Sequence, residues 1–431
     1  MESRVIVSRG FLWIIGLLIL GFGSGAAADE SEPKTGWSIG GVPAVSYESD
    51  RGFEYGIILG LHNFGDGERY PNYYQKIHLG WSRYTGGSGI NEVFFDAPDF
   101  LFKTLRLTSY VGYLTELLQP FYGLNGYAAR YEPAYETSDP ADDDYNPDLY
   151  KSRAYYAHDR RMWNITTDVQ GDLLGEKLRW IAGVGVFNVN VGPPDVERLH
   201  ERLNMDEQLP DSSLFEEMVR SGQIPAEEAN GGWCNYFKAG IVYDTRDSEA
   251  NPMSGLWTEA FLTTFTPLLG SEYQFALATI QHRQYFPLIK NDLSFSYRLG
   301  YQGNIAGETP FFMLPFIFSS FRIREGLGGK WTLRGILRNR VVGQSIGFAN
   351  VELRWKVYRT VLFNQNLYFA ITTFYDTGRV LNSRADELHH SYGAGVYGAL
   401  NENFIVGLDY GRAMDSRDGQ RGIYIHLDFI Y

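Results

Sequence analysis

The chain has 431 residues, a formal net charge of −13 and a single cysteine, Cys234. The acidic balance argues against a nucleic-acid partner, and one cysteine excludes an internal disulfide framework. Aromatic residues make up 16% and glycine numbers 48, while charged residues are 21% and mean hydropathy is −0.25. Apolar residues are therefore dispersed by alternation, as in many strands joined by turns.

Arg4 and Arg9 flank the start of the chain, Phe11 to Phe22 is an apolar run, and Ala26, Ala27 and Ala28 supply small residues before Asp29. This is the layout of a secretory signal over residues 1–28, too short for a helical span, which needs about 20 apolar residues. Residues 29–36 then form a short periplasmic lead-in and 37–431 the folded body. No later segment is apolar enough for a membrane helix. A membrane form of the mature chain would have to be a closed β-barrel, since only helices and barrels satisfy every backbone group in lipid.

The first strand, in "WSIGGVPAVSY", holds Gly40, Gly41 and Pro43. Glycine weakens a strand and proline cannot donate to a ladder. The first strand pairs with the last in a closed barrel, so a weak closing seam is expected. Residues 117–156 then form a long connection. In it Asp142, Asp144, Asn146 and Asp148 alternate like the start of a calcium loop. Pro147 stands where that loop turns on Gly, and Arg153 where it needs a bidentate Glu; the reading is a solvated acidic loop.

A second long connection, 193–232, carries helical signals. Asp195 can cap "VERLHERL", and Ser213 with Glu216 makes a capping box beside Phe215, Met218 and Val219, ended by Gly222. A small helical hairpin over a barrel mouth is expected. A strand in "FKAGIVYD" sets Phe237, Ala239, Ile241 and Tyr243 against Lys238, Gly240 and Asp244. After a third long connection, 306–345, "VELRWKV" sets Val351, Leu353, Trp355 and Val357 against Glu352, Arg354 and Lys356. "LYFAITTFYD" sets Leu367, Phe369, Ile371, Thr373 and Tyr375 against Tyr368, Thr372 and Asp376.

The last strand, "GIYIHLDFIY", puts Ile423, Ile425, Leu427, Phe429 and Tyr431 on one face and Tyr424, His426 and Asp428 on the other. In a membrane barrel the apolar face meets lipid and the polar face lines the lumen. Such segments number about 16, joined by connections of alternating length. The expected architecture is an all-β transmembrane antiparallel barrel with long loops outside and both termini periplasmic.

Chemistry is sparse. His389 and His390 are adjacent, so on a strand they point to opposite faces; with no Cys or third His nearby they read as a polar loop tip rather than metal ligands. No G-x-S-x-G is present and no Ser/His grouping stands out. Neither an enzyme nor a cofactor or metal is expected.

Three stretches, in order, carry a family resemblance: "YDTRDSEANPMSG" (Tyr243 to Gly255), "TLRGI" in the third long connection followed by "NVELRW", and "FYDTG" followed by a last strand ending in an aromatic residue. Together they resemble the barrel of the outer-membrane assembly and translocation superfamily, the BamA/TamA or bacterial surface antigen group. The resemblance covers the mature chain and is strongest from Trp233 to Tyr431. It implies a 16-stranded barrel whose sixth outer loop folds back into the lumen, with the motif Leu333, Arg334, Gly335 at its tip. Arg334 would meet Glu352 and Asp376, which alternation independently places on the lumen side. An arginine fork suits carboxylates, and Gly335 allows a tight turn. Leu333 and Ile336 depart from the residues the family often has. Members that insert or transport proteins also carry periplasmic POTRA modules before the barrel, for which "DESEPKTG" leaves no room.

The implied protein is an integral bacterial outer-membrane barrel in contact with outer-membrane lipid. It would assist insertion or translocation of unfolded outer-membrane or surface proteins, or of lipid, with a separate periplasmic partner. The alternative is a barrel scaffold or narrow channel subunit of a surface complex.

Overall fold

The structure, a computed structural model, describes residues 35–431 except 49–51, 69–72, 102–103, 139, 176, 196–211, 250, 363–364, 401–403, 428 and 430. The signal segment, the first of the two expected helices and the "NEN" turn fall outside the described residues.

Seven strands come first: β1 (Trp37–Glu48), β2 (Gly52–Asn63), β3 (Gln75–Tyr84), β4 (Gly89–Ala97), β5 (Leu105–Pro120), β6 (Ala157–Leu174) and β7 (Leu178–Gly192). After helix α1 (Leu214–Arg220) come β8 (Gly231–Trp233), β9 (Tyr236–Asp244), β10 (Gly255–Phe265), β11 (Phe275–Ile289) and β12 (Leu293–Gly307). A two-stranded hairpin, β13 (Phe316–Ile317) and β14 (Arg324–Glu325), precedes β15 (Ser345–Leu362), β16 (Gln365–Val380), β17 (His389–Leu400), β18 (Phe404–Ala413) and β19 (Arg421–Leu427).

Seventeen of these segments share one antiparallel sheet. The expectation was about 16; the short β8 pairs with Asn188–Asn190 of β7 while β9 pairs with the rest of β7, so β8 and β9 lie along one neighbour as an interrupted strand. Each strand otherwise pairs with the next in the chain, the meander a barrel requires. β1 and β19 bring Cα atoms within 8 Å of each other, and no ladder between them is present among the described residues. All connections longer than twenty residues join strand ends on one side, here the loop end; the opposite side is the terminal end.

Alternation decides the two faces. In β15, Val351, Leu353, Trp355 and Val357 are exposed while Glu352, Arg354 and Lys356 are buried. Exposed apolar faces on successive strands amount to a surface no soluble monomer displays, so they form the lipid contact. Polar side chains buried in the lumen need partners from within it, and the 308–344 connection supplies them. α1 sits over the loop end with its capping box made: the Ser213 hydroxyl accepts from the Glu216 N–H and Glu216 accepts from the Ser213 N–H. Its Phe215 and Met218 pack into an aromatic core with Phe121 and Phe311.

Three expectations need correction. Leu367 is buried rather than lipid-facing. In the last strand Ile423 is exposed, but Phe429 and Tyr431, which share its side of the alternation, are both buried in the lumen. Their rings lie against buried arginines, Phe429 on Arg354 and Tyr431 on Arg298. His389 is not a polar tip: it is fully buried, between Asp386 and Asp418.

Candidate functional site: a loop locked in the barrel lumen

Arg334 is wholly buried in the lumen. Its Nε donates to Asp376 Oδ2 at 2.9 Å and its Nη2 to Asp376 Oδ1 at 3.1 Å, a bidentate fork. Nη1 donates to Glu352 Oε2 at 3.1 Å and to Asp409 Oδ2 at 3.0 Å. The Arg334 backbone N–H adds a bond to Asp376 Oδ2 at 3.1 Å. Phe374 lies flat beneath, with the guanidinium carbon 3.4 Å from the ring centroid. Burial by itself would lower the Arg334 pKa, but Asp376, Asp409 and Glu352 raise it well above the ordinary value, so the charge is permanent.

The glycine beside it has two reasons to be glycine. Gly335 has φ +96°, and a Cβ there would sit 2.4 Å from the Arg412 nitrogen and 2.5 Å from the Gly411 carbonyl carbon. The loop tip thus lies flat on β18 where that strand has its own glycine, Gly411, whose Cβ would meet the Arg334 carbonyl carbon at 2.5 Å. The Gly335 N–H donates to the Tyr424 hydroxyl of β19 at 3.0 Å. Leu333 is fully buried with Ile336, Ile346 and Val380.

Sequence reasoning named Glu352 and Asp376 and missed Asp409. The signal was available: in "GLDYGRA" Asp409 alternates with Leu408 and Tyr410 and so faces the lumen. Asn350 was also missed. It donates to Asp376 Oδ1 at 2.8 Å and to the Thr332 carbonyl at 2.5 Å, holding carboxylate and loop together.

Glu352 also leads away from the loop. Arg354 Nη2 donates to Glu352 Oε1 at 2.9 Å and to the Tyr431 carbonyl at 3.3 Å, and Phe429 lies 3.5 Å from the Arg354 guanidinium. Phe429 stacks on Tyr397, whose hydroxyl donates to Asp409 at 2.9 Å. The last residues of the chain are therefore joined to the Arg334 lock from two sides. Also at the terminal end, the turn in "YDTRDSEANPMSG" folds under the barrel: Glu249 meets Arg106 of β5 at 2.8 Å and Pro252 offers its carbonyl to Arg354 at 3.5 Å. The Arg106 guanidinium holds Glu249 down, at about 2.

A second ionic cluster grips the same loop nearer the loop end. Arg160 donates to Glu116 and, at 2.7 Å, to Glu325; Arg338 donates to Glu116 and Glu325, both at 2.9 Å. Each cluster pairs loop groups with wall groups, which suits a loop that is seated rather than draped.

The seam residues are placed as follows. Gly40, Gly41 and Pro43 lie in β1 opposite Gly60, Leu59 and Ile57 of β2. Proline belongs at a sheet edge, and β1 is bonded through a described ladder on its β2 side. Among the described residues no group of three or more His, Cys, Asp or Glu could hold a metal ion.

These features define a transmembrane β-barrel in which one long loop re-enters the lumen and is fixed there by a buried arginine on three wall carboxylates. Residues 110–427 match the Omp85 superfamily domain. The chain belongs to the Omp85 superfamily, whose barrels are integral to the outer membrane. Its fold is similar to that of BamA from Haemophilus ducreyi lacking POTRA domains 1–3, with TM-score 0.53 and 14% identity over 92% of this chain and 71% of that one. It is also similar to CdiB from Escherichia coli, with TM-score 0.56 and 9% identity over 93% of this chain and 64% of that one. At these identities the likeness is one of fold. No curated protein matches at the sequence level.

Proposed function

We propose that this barrel assists the insertion or translocation of polypeptide, or lipid, at the outer membrane by opening between β1 and β19, with its terminal end in the periplasm and delivery left to a separate partner. The observation that supports this most is the seam itself. β1 and β19 lie side by side, yet the described ladders end at β1 on one side and at β19 on the other. Every other neighbouring pair of wall strands is joined by a described ladder, the β7 junction by two, one to β8 and one to β9. Unpaired backbone groups in lipid cost several kcal/mol each, on the order of the cost of opening a few ladder bonds, so the wall is weakest there.

The test is a disulfide lock. In a Cys234→Ala background, cysteines are placed at β1 and β19 positions whose Cα atoms approach closely enough for a bridge. Oxidation should impair growth and alter outer-membrane protein composition in the native host, and reductant should restore both. If a fully oxidised seam leaves growth and composition unchanged, lateral opening is wrong. The barrel is then a scaffold or narrow channel subunit, which single-channel conductance would separate.

A further inference from the structure

Phe316–Ser320 runs along the inner wall of the lumen, Phe316 and Ile317 as β13 and Ser320 at a bend. On one side Phe316 and Ile317 pair with Glu325 and Arg324. On the other side, side chains of five wall strands bond its main chain. Gln302 of β12 grips it twice: Nε2 donates to the Phe316 carbonyl at 2.6 Å, and Oε1 accepts from the Phe318 N–H at 2.9 Å. Gln281 of β11 donates to the Phe318 carbonyl at 3.2 Å. Glu259 of β10 accepts from the Ser320 N–H at 2.7 Å. Lys238 of β9 donates to the Ser319 carbonyl at 2.8 Å, and Gln170 of β6 to the Ser320 carbonyl at 3.4 Å. All five wall residues are buried, and they brace one another or their neighbours: Gln281 on Glu259 at 2.9 Å, Lys238 on Asp168 at 2.7 Å, Thr279 on Gln302 at 3.1 Å.

This differs in kind from the Arg334 lock, which recognises one particular side chain. The row addresses amides and carbonyls, which every non-proline residue carries, and so is indifferent to most of the sequence it holds. Side-chain selection enters at two points. Phe316 and Phe318, two apart on an extended chain, share a face and enter an aromatic socket: Phe318 lies 5.4 Å from Tyr236 and 5.7 Å from Phe265, and Phe316 lies 5.7 Å from Phe187. Ile317 packs away from that socket, with Leu327 and Leu333 of its own loop. In the sequence, Phe429-Ile430-Tyr431 repeats the aromatic–isoleucine–aromatic pattern of Phe316-Ile317-Phe318.

We infer that the row Gln170, Lys238, Glu259, Gln281 and Gln302, with the socket of Phe187, Tyr236 and Phe265, is a binding site for an extended polypeptide bearing aromatic residues at alternate positions, occupied at rest by Phe316–Ser320 as the chain's own stand-in. It deepens the polypeptide reading above by placing a client-binding surface inside the lumen, and it makes the seated loop a competitor for that surface.

The test uses the purified full chain in detergent. The probes are a fluorescent peptide of residues 314–322, LPFIFSSFR, and the same peptide N-methylated at the positions of Phe318 and Ser320. Methylation keeps every side chain and removes the two amide donors. Ser320→Pro removes the N–H that Glu259 accepts, so trypsin should cut at Lys330 about tenfold faster or more, at roughly a factor of ten per lost bond. That variant should bind the plain peptide about tenfold more tightly than the parent protein does. The methylated peptide should lose about tenfold or more, and adding Gln281→Leu with Gln302→Leu should abolish binding.

Equal affinity for the two peptides would overturn backbone recognition. So would a released loop with no peptide binding, or a Ser320→Pro loop that stays seated. Peptide binding to the purified protein is read independently of seam opening, so this inference and the lateral-opening reading fail separately.

Discussion

Replacing Arg334 by alanine removes one cation from contact with three carboxylates, none of which water reaches. The five bonds that end on Asp376, Glu352 and Asp409 include four from the side chain, and those four vanish. Glu352 keeps Arg354 and Asp409 keeps the Tyr397 hydroxyl, whereas Asp376 keeps only the Asn350 amide and the loop N–H among the bonds described. Breaking a buried ion pair by removing one partner costs about 3–5 kcal/mol. The cost falls on the seated state of the loop, because on release water can hydrate the carboxylates. The seated-to-released equilibrium should therefore shift by roughly two to three and a half powers of ten at neutral pH. Native-state trypsin cleavage at Lys330 follows that equilibrium when opening is fast compared with cutting, so the rate should rise about 100-fold or more. Arg334→Lys should fall between, since one ammonium replaces the charge but not the fork. A variant cleaved within about threefold of the parent rate, less than 1 kcal/mol, would refute the claim that this arginine holds the loop.

Gly335→Ala keeps every charge but puts a Cβ 2.4 Å from the Arg412 nitrogen; it should raise loop cleavage as Arg334→Ala does, and an unchanged rate would mean the tip does not lie on β18. His389→Leu removes the bonds to Asp386 at 2.9 Å and Asp418 at 2.8 Å that tie two loop-end connections together, so hydrogen exchange at 381–388 and 414–420 should quicken while the Lys330 site stays protected. Burial pushes Glu136, in the 121–156 connection, up to about 7. A carboxyl whose folded pKa is raised favours the folded state below its unfolded value, about 4.3, and loses that contribution as pH climbs through 7; exchange at residues 131–137 should accelerate over that interval, and Glu136→Gln should flatten the dependence. Ser213→Ala breaks the capping box and should cost α1 about 1 kcal/mol, visible as faster exchange at 214–220 with no effect on the lumen lock.

Much of the fold was legible because a barrel wall is written in a period of two. The faces of β15 and β9 follow directly from Val351 against Glu352 and Phe237 against Lys238. The same rule placed Asp376 in the lumen, and a motif resemblance supplied Arg334 as its partner. Asp409 obeyed the rule and was simply not sought. Gly411, Asn350 and Tyr424 could not be found this way: each matters because of what the loop brings against it, and a loop with no period leaves no trace of its path.

Alternation misled at Leu367 and at the last residues, and local pattern misled at His389. Phe429 and Tyr431 continue the apolar phase of the last strand, but their rings lie on buried Arg354 and Arg298, partners that lipid does not offer. His389 looked like a loop tip because its carboxylates come from Asp386 and Asp418, one three residues away and the other across a hairpin. Local pattern by itself determined that this chain makes a membrane-facing barrel with a polar lumen, since burying every other side chain requires only the pleat of a strand. Which residues fill that lumen, and that one arginine anchors a loop, the chain's end and the wall together, was decided only in three dimensions, because a buried charge selects its partners by distance in space, and distance along the chain carries no information about that.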